Sequence, residues 1–120
     1  MVSIKYFEEG KKMTDKEWVN NIKTKVEEDT SVVEGIKGTF QFDFTKDGGS
    51  IWHMSFSGDG AVEIGEGPLA DADCKITSKW EHMDKVLKGE LNEQVAMMTG
   101  KMKFKGDMKT AMQLKKVLEL

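Results

Sequence analysis

The sequence predicts an α+β fold, because a central stretch with a two-residue hydrophobic period lies between segments with a helical period. Two further observations support this class. The helical segments begin at capping residues, and glycine-containing turns separate the alternating stretches. A chain of 120 residues is long enough for one hydrophobic core of moderate size. Residues 1–120 are therefore interpreted as a single domain.

The first helix is predicted to begin at Thr14. Residues 14–17 read Thr-Asp-Lys-Glu, a capping box in which the Thr and Glu side chains accept hydrogen bonds from backbone amides at the helix start. The helix should continue to about Asp29. Its core-facing apolar residues recur every four positions, at Trp18, Ile22 and Val26.

Three strands are predicted to follow, joined as a meander. The first starts near Ile36, and glycine-containing turns at residues 46–49 and 57–60 separate it from the next two. A fourth strand is expected at 72–77, where Cys74 and Ile76 share a face. The alternating apolar residues of the meander are Phe40, Phe42 and Phe44, then Trp52, Met54 and Phe56, then Val62 and Ile64.

Helical spacing returns after the fourth strand. Residues 78–81 read Ser-Lys-Trp-Glu, a second capping box, and the helix that follows should end at Gly89. A short helix is expected from Asn92 through Met98. The apolar side of the first of these two helices contains Trp80, Met83 and Leu87.

A fifth strand and a last helix complete the predicted elements. Met102 and Phe104 alternate with lysines in the strand, and Asp107 is the expected N-cap of the helix. The apolar side of this helix is predicted to contain Met108, Ala111, Met112 and Leu118. Lys101, Lys103 and Lys105 would form either a small cationic patch or a solubilising edge strand.

Composition and charge exclude several classes of function. The formal net charge is −3 and all 18 cationic residues are lysine, so neither the charge nor the side chains suit nucleic acid. No apolar run is long enough to span a membrane, and residues 1–10 contain none resembling a signal peptide. A single cysteine fits a reducing compartment. A cytoplasmic location is therefore expected.

Catalytic and metal-binding motifs are missing from the sequence. It contains no G-x-S-x-G elbow, no phosphate-binding loop and no H-E-x-x-H pair. His53 and His82 are expected at the surface, and Cys74 is expected to be a buried strand residue. We therefore predict that the protein is not an enzyme and has no metal site and no cofactor.

Methionine is concentrated in the last third of the chain. Six of the nine methionines lie between residues 83 and 112, near Trp80 and Phe104. Flexible, polarizable methionine side chains suit a wall that adapts to varied apolar ligands, but they also fill gaps in ordinary cores. The spacing alone fits both interpretations.

The order of these motifs resembles a known family. Residues 72–77 (Ala-Asp-Cys-Lys-Ile-Thr), the helix after them, the Met98-Thr99-Gly100 junction, residues 101–108 (Lys-Met-Lys-Phe-Lys-Gly-Asp-Met) and residues 111–114 (Ala-Met-Gln-Leu) are similar to the C-terminal half of sterol carrier protein type-two domains. The aromatic-rich meander and the leading helix agree with the same layout. The likeness runs from Thr14 to Leu118, which leaves residues 1–13 as an N-terminal extension.

The resemblance implies an α/β fold of the α+β kind. Its five-stranded, largely antiparallel sheet would be covered by helices, with a hydrophobic tunnel between them that holds fatty acids, acyl-CoA esters or sterols. It also implies a non-catalytic role in binding and transferring long-chain lipids. The expected partners are the lipid ligand and, transiently, a membrane surface or an acyl-CoA enzyme.

Two alternatives belong to other functional classes. The first is an accessory domain that docks on an acyl-CoA-metabolising enzyme and presents its substrate. The second is a small hydrolase or isomerase of lipid thioesters, which the lack of a nucleophile and base at catalytic spacing disfavours. For the lipid carrier, we predict that the tunnel is lined by Trp80, Met83, Leu87, Met98, Met102, Phe104, Met108 and Met112.

Overall fold

The computed structural model describes residues 13–120, which form one mixed sheet and four helices. Short 3-10 turns at Thr30–Val33 and Thr45–Asp47 precede and follow the first strand. The elements in chain order are α1 (Asp15–Glu28), β1 (Glu34–Asp43), β2 (Ile51–Asp59), β3 (Val62–Glu66), β4 (Cys74–Ser78), α2 (Trp80–Leu87), α3 (Glu93–Met98), β5 (Met102–Lys105) and α4 (Met108–Leu118).

The sheet has the strand order β3-β2-β1-β4-β5. Every neighbouring pair is antiparallel except β1 and β4, which run parallel with Phe42 opposite Ile76. The parallel pair requires the long connection through β2 and β3, because parallel strands cannot be joined by a tight turn. The predicted α+β fold with a five-stranded, largely antiparallel sheet is therefore confirmed.

The predicted alternation of the strands places one face of the sheet in the core. Phe40, Phe42 and Phe44 are completely buried, and the intervening residues of β1 are only partly buried. Cys74 and Ile76 of β4 are also completely buried, as expected for residues that share a face. The aromatic rings of β1 therefore belong to the permanent core of the sheet.

Helix α1 begins as predicted and packs on this aromatic face. The amide of Thr14 donates to Oε1 of Glu17 at 2.9 Å, and the amide of Glu17 donates to Oγ1 of Thr14 at 3.2 Å. Trp18 meets Phe42 edge to face, with ring centroids 5.2 Å apart. The capping box thus fixes the start of a helix whose first apolar side chain reaches the middle of the sheet.

The prediction of a second capping box at residues 78–81 is wrong. Ser78 is the last residue of β4, and its hydroxyl donates to the carbonyls of Lys79 and Lys101 at 2.9 and 3.1 Å. The start of α2 is capped instead by Asp47, whose carboxylate accepts from the amides of Trp80 at 2.8 Å and Glu81 at 3.1 Å. A residue of the β1–β2 turn therefore holds α2 in place.

The predicted apolar side of α4 is wrong for its two methionines, although Leu118 packs against the core as expected. Leu114 and Val117 are the buried residues of this helix, whereas Met108 and Met112 are 80% and 67% exposed. Val117 follows Met108 by nine residues, roughly 2.5 helical turns, so the two lie on opposite sides. Because α4 packs on β1 and β4 through its leucine and valine, its methionines face outward.

Candidate functional site

Two cavities flank α4. The first, called the α1–α4 cavity, has a volume of about 370 Å³. It lies where α1, the end of α2, the start of α3 and the end of α4 meet, and its polar lining residues are Asn21, Lys25, Glu93, Lys115 and Glu119. Its apolar lining residues are Met13, Trp18, Ile22, Val86, Leu87, Leu118 and Leu120.

A polar contact crosses one side of the α1–α4 cavity. The ammonium group of Lys25 donates to the backbone oxygen of Leu120 at 2.7 Å, and both residues line the cavity. Trp18 forms the inner wall, where its ring also contacts that of Trp80 at a centroid distance of 5.9 Å. The cavity therefore has an aromatic base and a rim of mixed charge, where Lys25 and Lys115 are accompanied by Glu93 and Glu119.

The second, called the β1–α4 cavity, has a volume of about 740 Å³ and lies between the start of β1 and α4. The side-chain oxygen of Gln113 accepts from the amide of Lys37 at 3.0 Å and joins the two elements. The lining residues are Lys37, Gly38, Asp73, Lys109, Thr110, Met112, Gln113, Lys115, Lys116 and Glu119.

Phe104 lies beside this second cavity. A Cβ atom at Gly106 would be 3.1 Å from Cζ of Phe104, 2.8 Å from Oγ1 of Thr110 and 2.9 Å from the carbonyl oxygen of Asp73. The ring edge of Phe104 thus converges with two residues of the cavity lining. Only glycine fits at this position without displacing one of them.

A single helical turn separates the two cavities. Lys115 and Glu119 line both, and they are four residues apart at the end of α4. Residues four apart on a helix lie one above the other on the same side. Any molecule that extends from one cavity to the other must therefore pass this turn of α4.

The structure separates the eight residues predicted to line a tunnel into three groups. Leu87 lines the α1–α4 cavity and Met112 the β1–α4 cavity, while Phe104 lies beside the latter. Met83 and Met102 are completely or almost completely buried, and Trp80 is partly buried among Trp18 and Phe44. Met98 and Met108 are exposed by 86% and 80%. Their shared role in lipid binding stays a prediction.

The sequence pattern identifies several lining residues as apolar helix positions but does not reveal the cavity. Trp18 and Ile22 belong to the predicted apolar side of the first helix, and Leu118 to that of the last. The pattern does not indicate Val86 or Lys25 as lining residues. Their common cavity depends on contacts between distant parts of the chain, which residue spacing within one helix does not reveal.

Cys74 is packed in the core, and the two histidines lie close to backbone carbonyl groups. Cys74 is completely buried, and burial first, then the charges of Asp73 and Asp107, raises the pKa of its thiol to about 12. Nδ1 of His53 lies 2.9 Å from the carbonyl oxygen of Gly67. His82 lies at the β5 side of α2, with Nδ1 3.3 Å from the carbonyl oxygen of Lys101. The partners of the two histidines are therefore backbone carbonyls and not the Cys74 thiol.

Within residues 13–120, no group of three or more acidic, histidine or cysteine side chains is arranged to hold a metal ion. In the same part of the chain, no helix combines the length and the apolar character needed to cross a membrane. Lys103 and Lys105 are exposed on the edge strand β5, and together with Lys101 they lie outside the linings of both cavities.

Comparison with known proteins identifies the family. A family model described as the SCP-2 sterol transfer family matches residues 19–119. A fatty acid-binding protein of Yarrowia lipolytica is 33% identical over 69 residues, which is 57% of this chain and 54% of that protein. Hydroxysteroid dehydrogenase-like protein 2 of Bos taurus is 30% identical over 88 residues, which is 72% of this chain and 21% of that protein.

The chain therefore spans about a fifth of the dehydrogenase-like relative and about half of the fatty acid-binding one. Among solved structures, the sterol carrier protein domain 2 of Helicoverpa armigera has a TM-score of 0.68 at 22% identity. The match covers 91% of this chain and 92% of that domain. This likeness supports the same overall fold.

Proposed function

Because the chain belongs to the SCP-2 sterol transfer family, we propose that it binds and transfers long-chain lipids without chemically changing them. The ligand class that we propose is the fatty acids and their acyl-CoA esters, with sterols as a further candidate. The Yarrowia relative, named as a fatty acid-binding protein, supports this class. A lone buried cysteine and the absence of membrane-crossing helices among residues 13–120 fit our expectation of a cytoplasmic location.

The observation that carries the proposal is the α1–α4 cavity. Seven apolar side chains line it, and its volume of about 370 Å³ lies within the range of small-molecule sites, roughly 300 to 1,000 Å³. Burying one methylene group contributes about 0.8 kcal/mol, so a dozen carbons contribute about 10 kcal/mol before the costs of association. An acyl chain in this cavity therefore needs no specific polar anchor.

Lysines at the rim can give a modest preference for an anionic head group through direct hydrogen bonds, although Glu93 and Glu119 in the same lining offset their charge. Lys25 and Lys115 lie on opposite helices that border the α1–α4 cavity, and both are exposed. Their ammonium groups can donate hydrogen bonds to a carboxylate or a phosphate. Because salt screens exposed charges, this preference should be modest at physiological ionic strength.

The second cavity extends the space available to a ligand. Met112 lines it and Phe104 lies beside it, and this supports a role for both residues in contacting a lipid that passes the last turn of α4. We propose that Leu87, Met112 and Phe104 contact the ligand, and that Met83 and Met102 support the wall from the core.

The test is a titration with a fluorescent long-chain fatty acid in buffer without vesicles. We expect saturable binding of about one molecule per chain at micromolar strength or better. Replacing Leu87 by Trp fills the α1–α4 cavity and should weaken binding about tenfold or more, because the larger ring occupies the volume of several methylenes.

Leu91→Trp is the matched control. Leu91 is also partly buried against the core but does not line the α1–α4 cavity, so this variant should bind as the parent does. Both variants need a thermal denaturation curve that shows a folded protein. The proposal is wrong if fatty acid, acyl-CoA and sterol probes all fail to show saturable binding to the parent chain.

A second candidate function is supported by one comparison. The chain matches only about a fifth of the dehydrogenase-like relative, so in that protein the matching region is one part of a longer chain. In an accessory role, this domain would dock on an acyl-CoA-metabolising enzyme and present its substrate. The two would then be combined, as the matching region and the rest of the chain are in the longer relative. Stimulation of such an enzyme by the added domain, without free lipid release, would favour this function over independent transfer.

A further inference from the structure

The outer side of α4 combines exposed methionines with lysines. Met108 and Met112 are one turn apart and are 80% and 67% exposed, which is unusual for large apolar side chains. Helical spacing places Lys109 and Lys116 on one side of this methionine pair and Lys115 on the other. We call these five residues the outer face of α4.

The charge of this face differs from that of the whole chain. The formal net charge of the protein is −3, yet α4 contains three lysines and no acidic residue between Met108 and Leu118. The β1–α4 cavity beside it is lined by four lysines and only two carboxylates, Asp73 and Glu119. One of these, Asp73, is engaged by the amide of Thr39 at 3.1 Å.

Acidic groups at the ends of the helix do not cancel this pattern. Asp107 caps the N-terminus, where its carboxylate accepts from the amide of Thr110 at 2.9 Å. Glu119 lies just beyond the last turn on the same side as Lys115, so the outer side of the helix has three lysines and one carboxylate at its end. The middle of the exposed face therefore presents only methionine and lysine to an approaching surface.

We propose that the outer face of α4 is the surface by which this protein contacts an anionic lipid bilayer. Met108 and Met112 enter the interfacial region, and the flanking lysines extend to the lipid phosphates while their hydrocarbon stems cover the methionines. The inference rests on the proposed function, since a lipid carrier must meet the membranes between which it moves its ligand.

Docking through this face has a consequence for transfer. Met112, Lys109, Lys115 and Lys116 also line the β1–α4 cavity. A bilayer held against the outer face of α4 therefore lies at the mouth of that cavity. A lipid leaving the bilayer enters the cavity without first crossing bulk water.

The experiment is sedimentation of the ligand-free protein with vesicles of two compositions. One is phosphatidylcholine alone, and the other is equal parts of phosphatidylcholine and phosphatidylglycerol. We expect binding to the anionic vesicles, little binding to the neutral ones, and weaker binding at raised salt. Each lysine near an anionic surface contributes about fivefold in affinity, so K109Q/K115Q/K116Q should weaken binding by about a hundredfold.

Matched variants separate this face from the rest of the surface. M108S/M112S should weaken vesicle binding about tenfold, whereas V95S/M98S removes exposed apolar side chains from α3 and should not. K16Q/K46Q/K85Q makes the same change in charge at exposed lysines elsewhere and should have a small effect. Equal losses in the α4 variants and their controls would overturn the proposal.

Wild-type protein distinguishes this inference from the function on which it rests. Binding of fatty acid in vesicle-free buffer together with no preference for anionic vesicles overturns the membrane-docking face alone. Vesicle binding without any fatty acid binding overturns the carrier function alone.

Discussion

The aromatic face of the sheet and the two sides of α4 differ in how completely they are filled. Phe40, Phe42 and Phe44 are fully buried, and the ring of Trp18 meets Phe42 and Phe44 at centroid distances of 5.2 and 6.0 Å. Helix α4 is anchored by Leu114 and Val117, with a cavity on each side. The first region has the dense packing of a permanent core, and the second has the space that a ligand needs.

Polar contacts reinforce this contrast. Two hydrogen bonds that join α4 to β1 are exposed to solvent. In one, the amide of Lys37 donates to the side-chain oxygen of Gln113. In the other, the ammonium group of Lys116 donates to the carbonyl oxygen of Gly35 at 3.5 Å. Solvent-exposed hydrogen bonds open at lower free energy than those buried in the core. We therefore expect the aromatic face to supply most of the stability of the fold, and α4 to open when a ligand enters or leaves.

The largest effect is expected from Phe42→Ala. Phe42 is completely buried and contacts Trp18, so its loss should lower the free energy of unfolding by about 3 to 5 kcal/mol. Chemical denaturation measures the change. A loss below about 1 kcal/mol would contradict the assignment of this ring to the permanent core.

Two methionine variants test the difference between a buried core position and the outer side of α4. Met102 is 1% exposed, so Met102→Ala should cost about 2 to 5 kcal/mol, whereas Met112→Ala should change stability by about 0.5 kcal/mol or less. In lipid titrations, Met112→Ala should alter affinity or chain-length preference. If Met112→Ala affects stability alone, this side chain does not contact the ligand.

Loss of the Asp47 cap should have a smaller effect on stability. Asp47→Ala removes the carboxylate that accepts from the first two amides of α2, at an expected cost of about 1 kcal/mol. Since α2 carries Val86 and Leu87 of the α1–α4 cavity, lipid affinity should also fall. Asp71→Ala, at an exposed loop position, is the control and should leave both quantities unchanged.

The smallest effect on stability at neutral pH is expected at Cys74. Because burial raises the pKa of its thiol to about 12, the thiolate should be about a thousandfold rarer at neutral pH than in a free thiol. A thiol reagent should therefore label Cys74 slowly in the folded protein and rapidly in denaturant. Fast labelling of the folded chain would show that this part of β4 is open.

The same pKa has a defined effect on stability. A raised pKa favours the protonated thiol in the folded state, so its contribution is complete below the ordinary pKa of about 9 and is lost as the pH rises toward 12. Wild-type protein should lose stability over this range more steeply than Cys74→Ala. Parallel curves would contradict the expected shift.

The elements of the fold could be predicted because their signals are local. Alternation of Phe40, Phe42 and Phe44 identifies β1, and the Thr14 capping box identifies the start of α1. The five strands follow from the residue pattern, the family resemblance implies their largely antiparallel arrangement, and the sheet of the structure confirms both.

The predictions that failed depended on contacts between distant residues. Asp47 caps a helix that begins 33 residues later, and no spacing rule within residues 78–81 reveals this bond. In α4, Met108 and Met112 have helical spacing as regular as that of Leu114 and Val117, so the pattern cannot tell which pair is buried. The walls of the α1–α4 cavity likewise come from four separate helices.

The most direct test of a lipid site beside α4 is methyl NMR of leucine and methionine side chains during titration with a long-chain fatty acid. We predict that the methyl signals of Met13, Leu87 and Leu118, which line the α1–α4 cavity, shift on binding. Met54, which is completely buried on the aromatic face opposite Phe40, should stay nearly constant. Saturable binding that leaves the three cavity residues unchanged, or that moves Met54 most, would contradict the account.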